Sequence, residues 1–206
     1  ERLSAFSQVY FAIDQKLVAV VYLTDALREQ STSAVSGLNE LGISTAMLSG
    51  DHQGAASYIA SQLNLSDVRY ELKPEDKLTV LAQWQQQGEN VAMVGDGIND
   101  APALAQSDLG IAMGGGTQAA IASADITLVR DNPLLVAAAI EIARASWRKI
   151  RQNLFLAFIF NSLAIPLAAA GYLSPQLAGL AMALSSVTVL GNALLLKRWQ
   201  FSTRGA

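Results

Sequence analysis

The sequence predicts an α/β chain in two parts: a parallel β-sheet with helices on both faces, then a transmembrane helical hairpin. Up to about residue 147, short apolar runs rich in Val, Ile and Leu alternate with polar-apolar stretches of helical length. From Gln152 to Leu196, 45 residues then pass without one Asp, Glu, Lys, Arg or His. Basic residues flank that run, with Arg148, Lys149 and Arg151 before it and Lys197, Arg198 and Arg204 after it.

The elements follow in order. VYFAID (9–14) and KLVAVVYL (16–23) are two strands joined at a short polar turn. An amphipathic helix is expected at 29–41. ISTAMLS (43–49) is a strand, 54–63 a helix, VRYEL (68–72) a short strand and 74–87 a helix. NVAMVGD (90–96) is a strand, followed by a helix from 102, the strand LGIAMG (109–114), a helix at 117–123 and the strand DITLV (125–129). A helix over 134–150 then runs towards the apolar segment with little break. There, 152–173 and 176–196 each reach the roughly 20 apolar residues a spanning helix needs, with Ser174-Pro175 as the turn between them. Lys and Arg favour the cytoplasmic side, so both ends of the hairpin are expected inside. The competing reading, a buried helical pair in a soluble protein, conflicts with the charge-free length and the basic flanks.

Composition narrows the chemistry. Only 15% of residues are charged and the net charge is −3, so no general attraction to nucleic acid is expected. There is no cysteine and His52 is the one histidine. Thiol nucleophiles, disulfides, thiolate sites and histidine-built zinc sites are therefore excluded from this chain. No repeat or linker stands out.

In open α/β sheets, ligands bind at the carboxyl ends of the strands. Ser49-Gly50-Asp51 falls at one such end and Gly95-Asp96-Gly97-Ile98-Asn99-Asp100 at another. Lys77, in KPEDK, lies between them at a helix start. Glycines let backbone N–H groups approach an anion. Ser49 offers a hydroxyl, Lys77 a compact positive charge, and Asp96 and Asp100 hard oxygen ligands for Mg²⁺. Asn99 can bond the phosphate or a neighbouring carboxylate. Each cluster alone could be an ordinary turn or a solvated lysine. Three in order at strand ends point to phosphoryl chemistry.

MVGDGINDAPAL (93–104) resembles the hinge motif of P-type ATPases, GDGxNDxPAL, and matches it completely. MLSGD is similar to their TGD motif with serine for threonine, and KPEDK to their P-x-x-K motif. DALRE (25–29) resembles D-x-x-R-P, with Glu29 where proline is common. The resemblance implies a haloacid-dehalogenase-like sheet. It also implies domains: 1–20 ending a nucleotide-binding domain, 21–147 a phosphorylation domain, 148–199 the last two membrane helices and 200–206 a C-terminal tail. Asp96 would be the principal Mg²⁺ ligand, with Asp100 assisting it or holding the loop. Asn99 would position the phosphoryl group and Lys77 stabilise its charge. Ser49 and Gly50 would bind its oxygens and Asp51 fix their loop. His52, where asparagine is often found, reads as a surface residue beside the site. The family's nucleophile, the aspartate of DKTGT that forms an aspartyl-phosphate, does not occur in this sequence. The chain is therefore expected to be the C-terminal portion of a pump, inactive alone towards ATP.

The membrane segment carries few polar groups, and such groups usually face a pathway or another helix. Phe160-Asn161, with Pro166 beyond, lies in the first helix. Met182-Ala183-Leu184-Ser185-Ser186 lies in the second, with Met182 and Ser186 on one face. This resembles the copper(I) class of heavy-metal P-type ATPases, which carry YN and M-x-x-S-S there. Zinc-class pumps carry a lysine and an aspartate instead. Asn161, Met182 and Ser186 would contact transported Cu(I) or Ag(I), since a thioether is a soft donor, with Phe160 replacing the usual tyrosine. Packing is the alternative role for Met182, and helix joining for Asn161, Ser185 and Ser186. The family further implies ATP and Mg²⁺ as cofactors and the bilayer, the N-terminal rest of the pump and a copper chaperone as partners. It implies a multi-pass place in the cell (inner) membrane, with the phosphorylation domain cytoplasmic. The helix around 141–151 would transmit domain movement to the metal site. Two alternative functions are a non-catalytic metal-binding or regulatory membrane fragment and a membrane-anchored phosphatase of the same superfamily.

Overall fold

The computed structural model describes residues 7–23 and 26–200. Asp25 of DALRE, Arg204 and the tail from 201, together with 1–6 of the segment expected to end a nucleotide-binding domain, lie outside the described residues. The chain divides into two compact units, with the boundary between Ala137 and Ala138.

The first unit opens with an antiparallel hairpin, β1 (Ser7–Ile13) and β2 (Lys16–Leu23). Asp14 and Gln15 at its tip both have positive φ, 49° and 64°, which matches the twist of the strands they join. Then come α1 (Ser31–Glu40), β3 (Ala46–Leu48), α2 (Gln53–Leu63), β4 (Asp67–Arg69), α3 (Pro74–Gln86) and β5 (Ala92–Gly95). A single 3₁₀ turn at Ile98–Asp100 leads into α4 (Ala101–Gln106), β6 (Leu109–Ala112), α5 (Gln118–Ser123) and β7 (Ile126–Thr127). Every expected helix and strand is present; β1 and β2 reach the full length of their apolar runs, whereas the parallel strands are shorter than theirs.

The parallel sheet lies in two pieces. β3 pairs with β4, and β5, β6 and β7 pair in that order. Among the described residues β3 and β5 each keep one edge unpaired. One apolar cluster serves both pieces. Leu81, Met93, Ala103, Leu104 and Ala120 are buried in it, and Leu48, Leu78, Trp84 and Val91 pack against it. Leu48 is the last residue of β3 and Met93 belongs to β5, so the cluster is shared by both strands.

The second unit consists of most of α6 (Leu134–Ala169) and of α7 (Pro175–Leu194), with a 3₁₀ turn at Leu195–Arg198. Both helices are long and apolar enough to cross a membrane, with mean hydropathies of 1.5 and 1.8, and they form the expected pair. α6 is one continuous 36-residue helix. It stops at Ala169 rather than near 173 because Gly171 takes a left-handed φ of 76°. Tyr172 N–H then donates to Leu167 C=O and Gly171 N–H to Ala168 C=O, a closed C-terminal cap. Ser174 caps α7 by accepting from Leu177 N–H. Four polar residues tie α6 to α7: Lys149 Nζ donates to Asn192 Oδ1 at 2.8 Å, and Asn192 Nδ2 donates to Asn153 Oδ1 at 2.8 Å and to Gln152 Oε1 at 3.4 Å.

Candidate active site

The three predicted clusters stand around the one apolar cluster. Ser49 follows Leu48, Lys77 precedes Leu78, and the Asp96–Asp100 loop runs between Met93 and Ala103. Burying those four apolar neighbours together brings the polar residues to the rim of the same core.

Lys77 and Asp100 meet directly. Lys77 Nζ lies 2.7 Å from Asp100 Oδ1, with the two side chains only 14% and 16% exposed. The local sequence prepares both. Pro74 starts α3 and the Asp76 carboxylate accepts Lys73 N–H at 2.9 Å, which fixes the first turn and places Lys77 just inside it. A lysine in the first turn opposes the helix dipole, and Asp100 supplies the compensating charge. Asp100 Oδ2 also accepts Gly97 N–H at 3.3 Å. A side chain at Gly95 would start only 2.7 Å from Asp100 Cβ, so the motif's first glycine is what lets Asp100 sit against the backbone.

Asp96 takes a different environment. Its side chain is 53% exposed and lies 3.5 Å from the Arg28 guanidinium. Arg28 also pairs with Asp131. The Asp96 carbonyl accepts Thr117 N–H at 2.8 Å, and a Cβ at Gly116 would come within 3.0 Å of that carbonyl oxygen. Thr117 caps α5 through Ala120 N–H, so the Asp96 loop leans on a helix start. Arg28 and Asp131 were not singled out from the sequence. Arg28 lies in DALRE, the available signal, whereas Asp131 lies 103 residues further along in no recognised motif.

The Ser49 loop is closed on itself. Ser49 Oγ donates to Asp51 Oδ2 at 2.7 Å, and Asp51 N–H donates back to Ser49 Oγ at 3.1 Å. Glu71 N–H and Leu72 N–H donate to the carbonyls of Asp51 and Ser49 and tie the loop to the end of β4. His52 caps α2, its Nδ1 accepting Ala55 N–H at 3.2 Å. Asn99 is exposed on the 3₁₀ turn beside Asp100.

Among the described residues, no three His, Cys, Asp or Glu side chains gather as a cage for a metal. The carboxylates of Asp96 and Asp100 fit Mg²⁺, which takes one or two carboxylates and completes its shell with phosphoryl oxygens and water. Asp96, half exposed and oxygen-only, is the carboxylate open to such an ion, whereas Asp100 is committed to Lys77. A backbone rich in approachable N–H groups, one ammonium and one open carboxylate can bind a phosphoryl group and its counter-cation.

In the second unit, Asn161 Nδ2 donates to Ala157 C=O at 3.2 Å and Ser186 Oγ to Met182 C=O at 3.0 Å. Each polar group is thus satisfied within its own helix. Met182 is 70% exposed.

Residues 2–108 match the family described as haloacid dehalogenase-like hydrolase. Over 193 residues, 94% of this chain, the sequence is 46% identical to a copper-exporting P-type ATPase of Staphylococcus aureus (strain JH9). The chain spans only 24% of that relative's length. Among solved structures it is similar to a zinc-transporting PIB-type ATPase in the E2.Pi state, with a TM-score of 0.84 and 35% identity. That match covers 94% of this chain and 32% of the other. It is also similar to the catalytic domain of the CPx-ATPase CopB-B, with a TM-score of 0.58 and 30% identity over 63% of this chain and 52% of that one.

Proposed function

Because the chain belongs to the haloacid dehalogenase-like hydrolase family and is homologous to copper-exporting P-type ATPases over 94% of its length, we propose that it works as part of an ATP-driven pump exporting Cu(I) or Ag(I). The observation that supports this reading is the 2.7 Å contact of Lys77 Nζ with Asp100 Oδ1, which joins two of the three predicted motifs.

The first unit binds and releases a phosphoryl group. Mg²⁺ held by Asp96 supplies charge neutralisation at the phosphoryl oxygens. Lys77 adds a second positive charge, and Asp100 holds that ammonium at the rim in readiness. Asp51 holds the Ser49 loop closed until the group arrives, when the Ser49 hydroxyl leaves Asp51 and joins Gly50 N–H on the phosphoryl oxygens. Asn99 orients the group from the other side. The acceptor aspartate belongs to a part of the pump outside this sequence, so the chain alone forms no aspartyl-phosphate. A strand inserted between the unpaired edges of β3 and β5 would complete the sheet and end between the Ser49 and Asp96 loops, where an acceptor must stand.

The second unit spans the membrane, with the first unit and both ends of the hairpin on the cytoplasmic side of the cell membrane. Asn161, Met182 and Ser186 contribute the soft and polar donors to the exported ion, Met182 through its thioether. The absence of a lysine or aspartate from the 45-residue uncharged run supports Cu(I) or Ag(I) over Zn(II). α6, unbroken from Leu134 to Ala169, carries movement of the first unit towards the ion site. A copper chaperone delivers the ion.

The test replaces the matching region of the Staphylococcus aureus relative with this chain and reconstitutes the chimera in vesicles. Cu(I) or Ag(I) should stimulate ATP hydrolysis and metal uptake. Asp96→Ala should abolish both, and Met182→Ala should weaken uptake at limiting Cu(I) without unfolding the first unit. Stimulation by Zn(II) but not Cu(I) overturns the ion assignment, and normal turnover of Asp96→Ala overturns the site.

A further inference from the structure

We propose that the face of α6 bearing Arg148 and Arg151 is a docking site for the phosphate headgroup of an anionic phospholipid. The proposal rests on the membrane-spanning reading of α6 and α7. Arg144, Trp147, Arg148, Arg151, Gln152 and Phe155, all on α6, line a shallow, open groove along the helix surface. Spacings of three and four place Arg144, Arg148, Arg151 and Phe155 along one side of the helix, with Trp147 beside them.

The height of the groove matches a headgroup layer. The helix from Gln152 to Ala169 rises about 27 Å, close to the hydrocarbon thickness of ~30 Å. Arg151 then sits at the hydrocarbon edge and Arg148 about 4.5 Å outside it, within the polar layer. Trp147 and Phe155 are exposed at the same boundary, where aromatic rings anchor helices.

Positive charge predominates around the groove. Residues 142–206 contain Arg144, Arg148, Lys149, Arg151, Lys197, Arg198 and Arg204 and no Asp or Glu. Lys149 is bound to Asn192, whereas Arg148 and Arg151 are exposed and make no ion pair among the described residues. A guanidinium fork suits phosphate geometry, and the apolar lining of Trp147 and Phe155 suits the glycerol and first methylenes of a lipid rather than a free anion.

The experiment places the full chain in nanodiscs and counts retained phosphatidylglycerol against phosphatidylcholine by native mass spectrometry. Resistance to alkaline extraction is checked first. Phosphatidylglycerol should be retained preferentially, and Arg148→Gln with Arg151→Gln should weaken it about thirtyfold, roughly fivefold per arginine. Lys197→Gln with Arg198→Gln, equal in charge, should leave retention nearly unchanged. Brominated phosphatidylglycerol should quench a tryptophan signal that Trp147→Phe removes. Equal losses in the two double variants would reduce the effect to general surface attraction and overturn the site. So would displacement by millimolar inorganic phosphate, which would mark a free-anion site, or no preference between the lipids. A chain extracted by alkali fails the spanning reading and takes the headgroup site with it. A chain that stays inserted without preference overturns the site alone.

Discussion

The Lys77–Asp100 pair predicts a measurable coupling between the helix start of α3 and the Asp96–Asp100 loop. The charges lie 2.7 Å apart with about one seventh of each side chain exposed. At an effective permittivity near 20 the gross attraction is about 6 kcal/mol, much of it offset by desolvation. Removing one partner leaves a mostly buried charge unpaired, which costs ~3–5 kcal/mol in full burial and about 2 kcal/mol at this rim. Asp100→Asn keeps the volume and an acceptor for Gly97 N–H, so its loss is mainly electrostatic. Lys77→Met removes the ammonium and keeps the stem. Each single variant should lose about 2 kcal/mol and the double little more, a coupling of about 2 kcal/mol. Trp84 packs on the adjoining core and reports unfolding of the first unit in detergent, with Trp147 and Trp199 replaced by Phe. With a urea slope of about 2 kcal/mol/M, each single variant should move the midpoint by ~1 M. Additive losses, with coupling below about 0.5 kcal/mol, would mean that the contact contributes nothing and refute the claim that Asp100 holds Lys77.

Further predictions follow from neighbouring contacts. Gly95→Ala should destabilise the first unit by ~1–3 kcal/mol in the same Trp84 assay, because its Cβ would collide with Asp100 Cβ at 2.7 Å; an unchanged midpoint would show that the loop gives way freely. Arg28→Gln should tighten Mn²⁺ binding, read by electron paramagnetic resonance on the chain, by up to about fivefold through loss of a half-exposed competing cation beside Asp96; weaker binding would contradict that competition. Asp108, whose carboxylate accepts Val91 N–H and is aided by Gln85, has a pKa held below the usual carboxylate value. A depressed folded-state pKa contributes stability that is present above the unfolded value and lost as pH falls through the folded one. The stability gap between the chain and Asp108→Ala should therefore be full at neutral pH and shrink as pH drops below about 4, and a gap constant down to pH 2 would refute it.

The order of helices and strands was legible because each apolar run is short and punctuated, and because the caps are local. Pro74 with Asp76, His52 before Gln53 and Ser174 before Pro175 all act within four residues. What stayed hidden depends on distance along the chain. Arg28 reaches Asp131 across 103 residues and Lys77 reaches Asp100 across 23, and neither pairing leaves a periodic trace. Asn192 lies inside a run defined by its lack of charge, yet it accepts from Lys149 and donates to Asn153, which makes it a tie between the two helices. Hydropathy averages over such a residue, whereas a hydrogen bond in an apolar setting depends on it alone.

The split sheet has a physical reason that bears on the site. Parallel sheets survive when both faces and nearly all edges are covered, since an open edge presents unpaired N–H and C=O groups. Here β5 leaves Val94 exposed and keeps one edge unpaired, and so does β3. Yet Leu48 of β3 packs against the cluster in which Met93 of β5 is buried, and the loops beyond the two strands carry Ser49 and Asp96. One core therefore positions the loops that carry Ser49 and Asp96 without needing every strand of the sheet. Ligands of open α/β sheets bind at carboxyl ends beside a change in strand order, and the loops after β3 and β5 stand at two such carboxyl ends. A peptide strand supplied in trans that restores phosphoryl binding should therefore also protect the backbone amides of β3 and β5 from hydrogen exchange. Protection confined to β6 and β7 would place the missing strand elsewhere and sever the link between the gap and the chemistry.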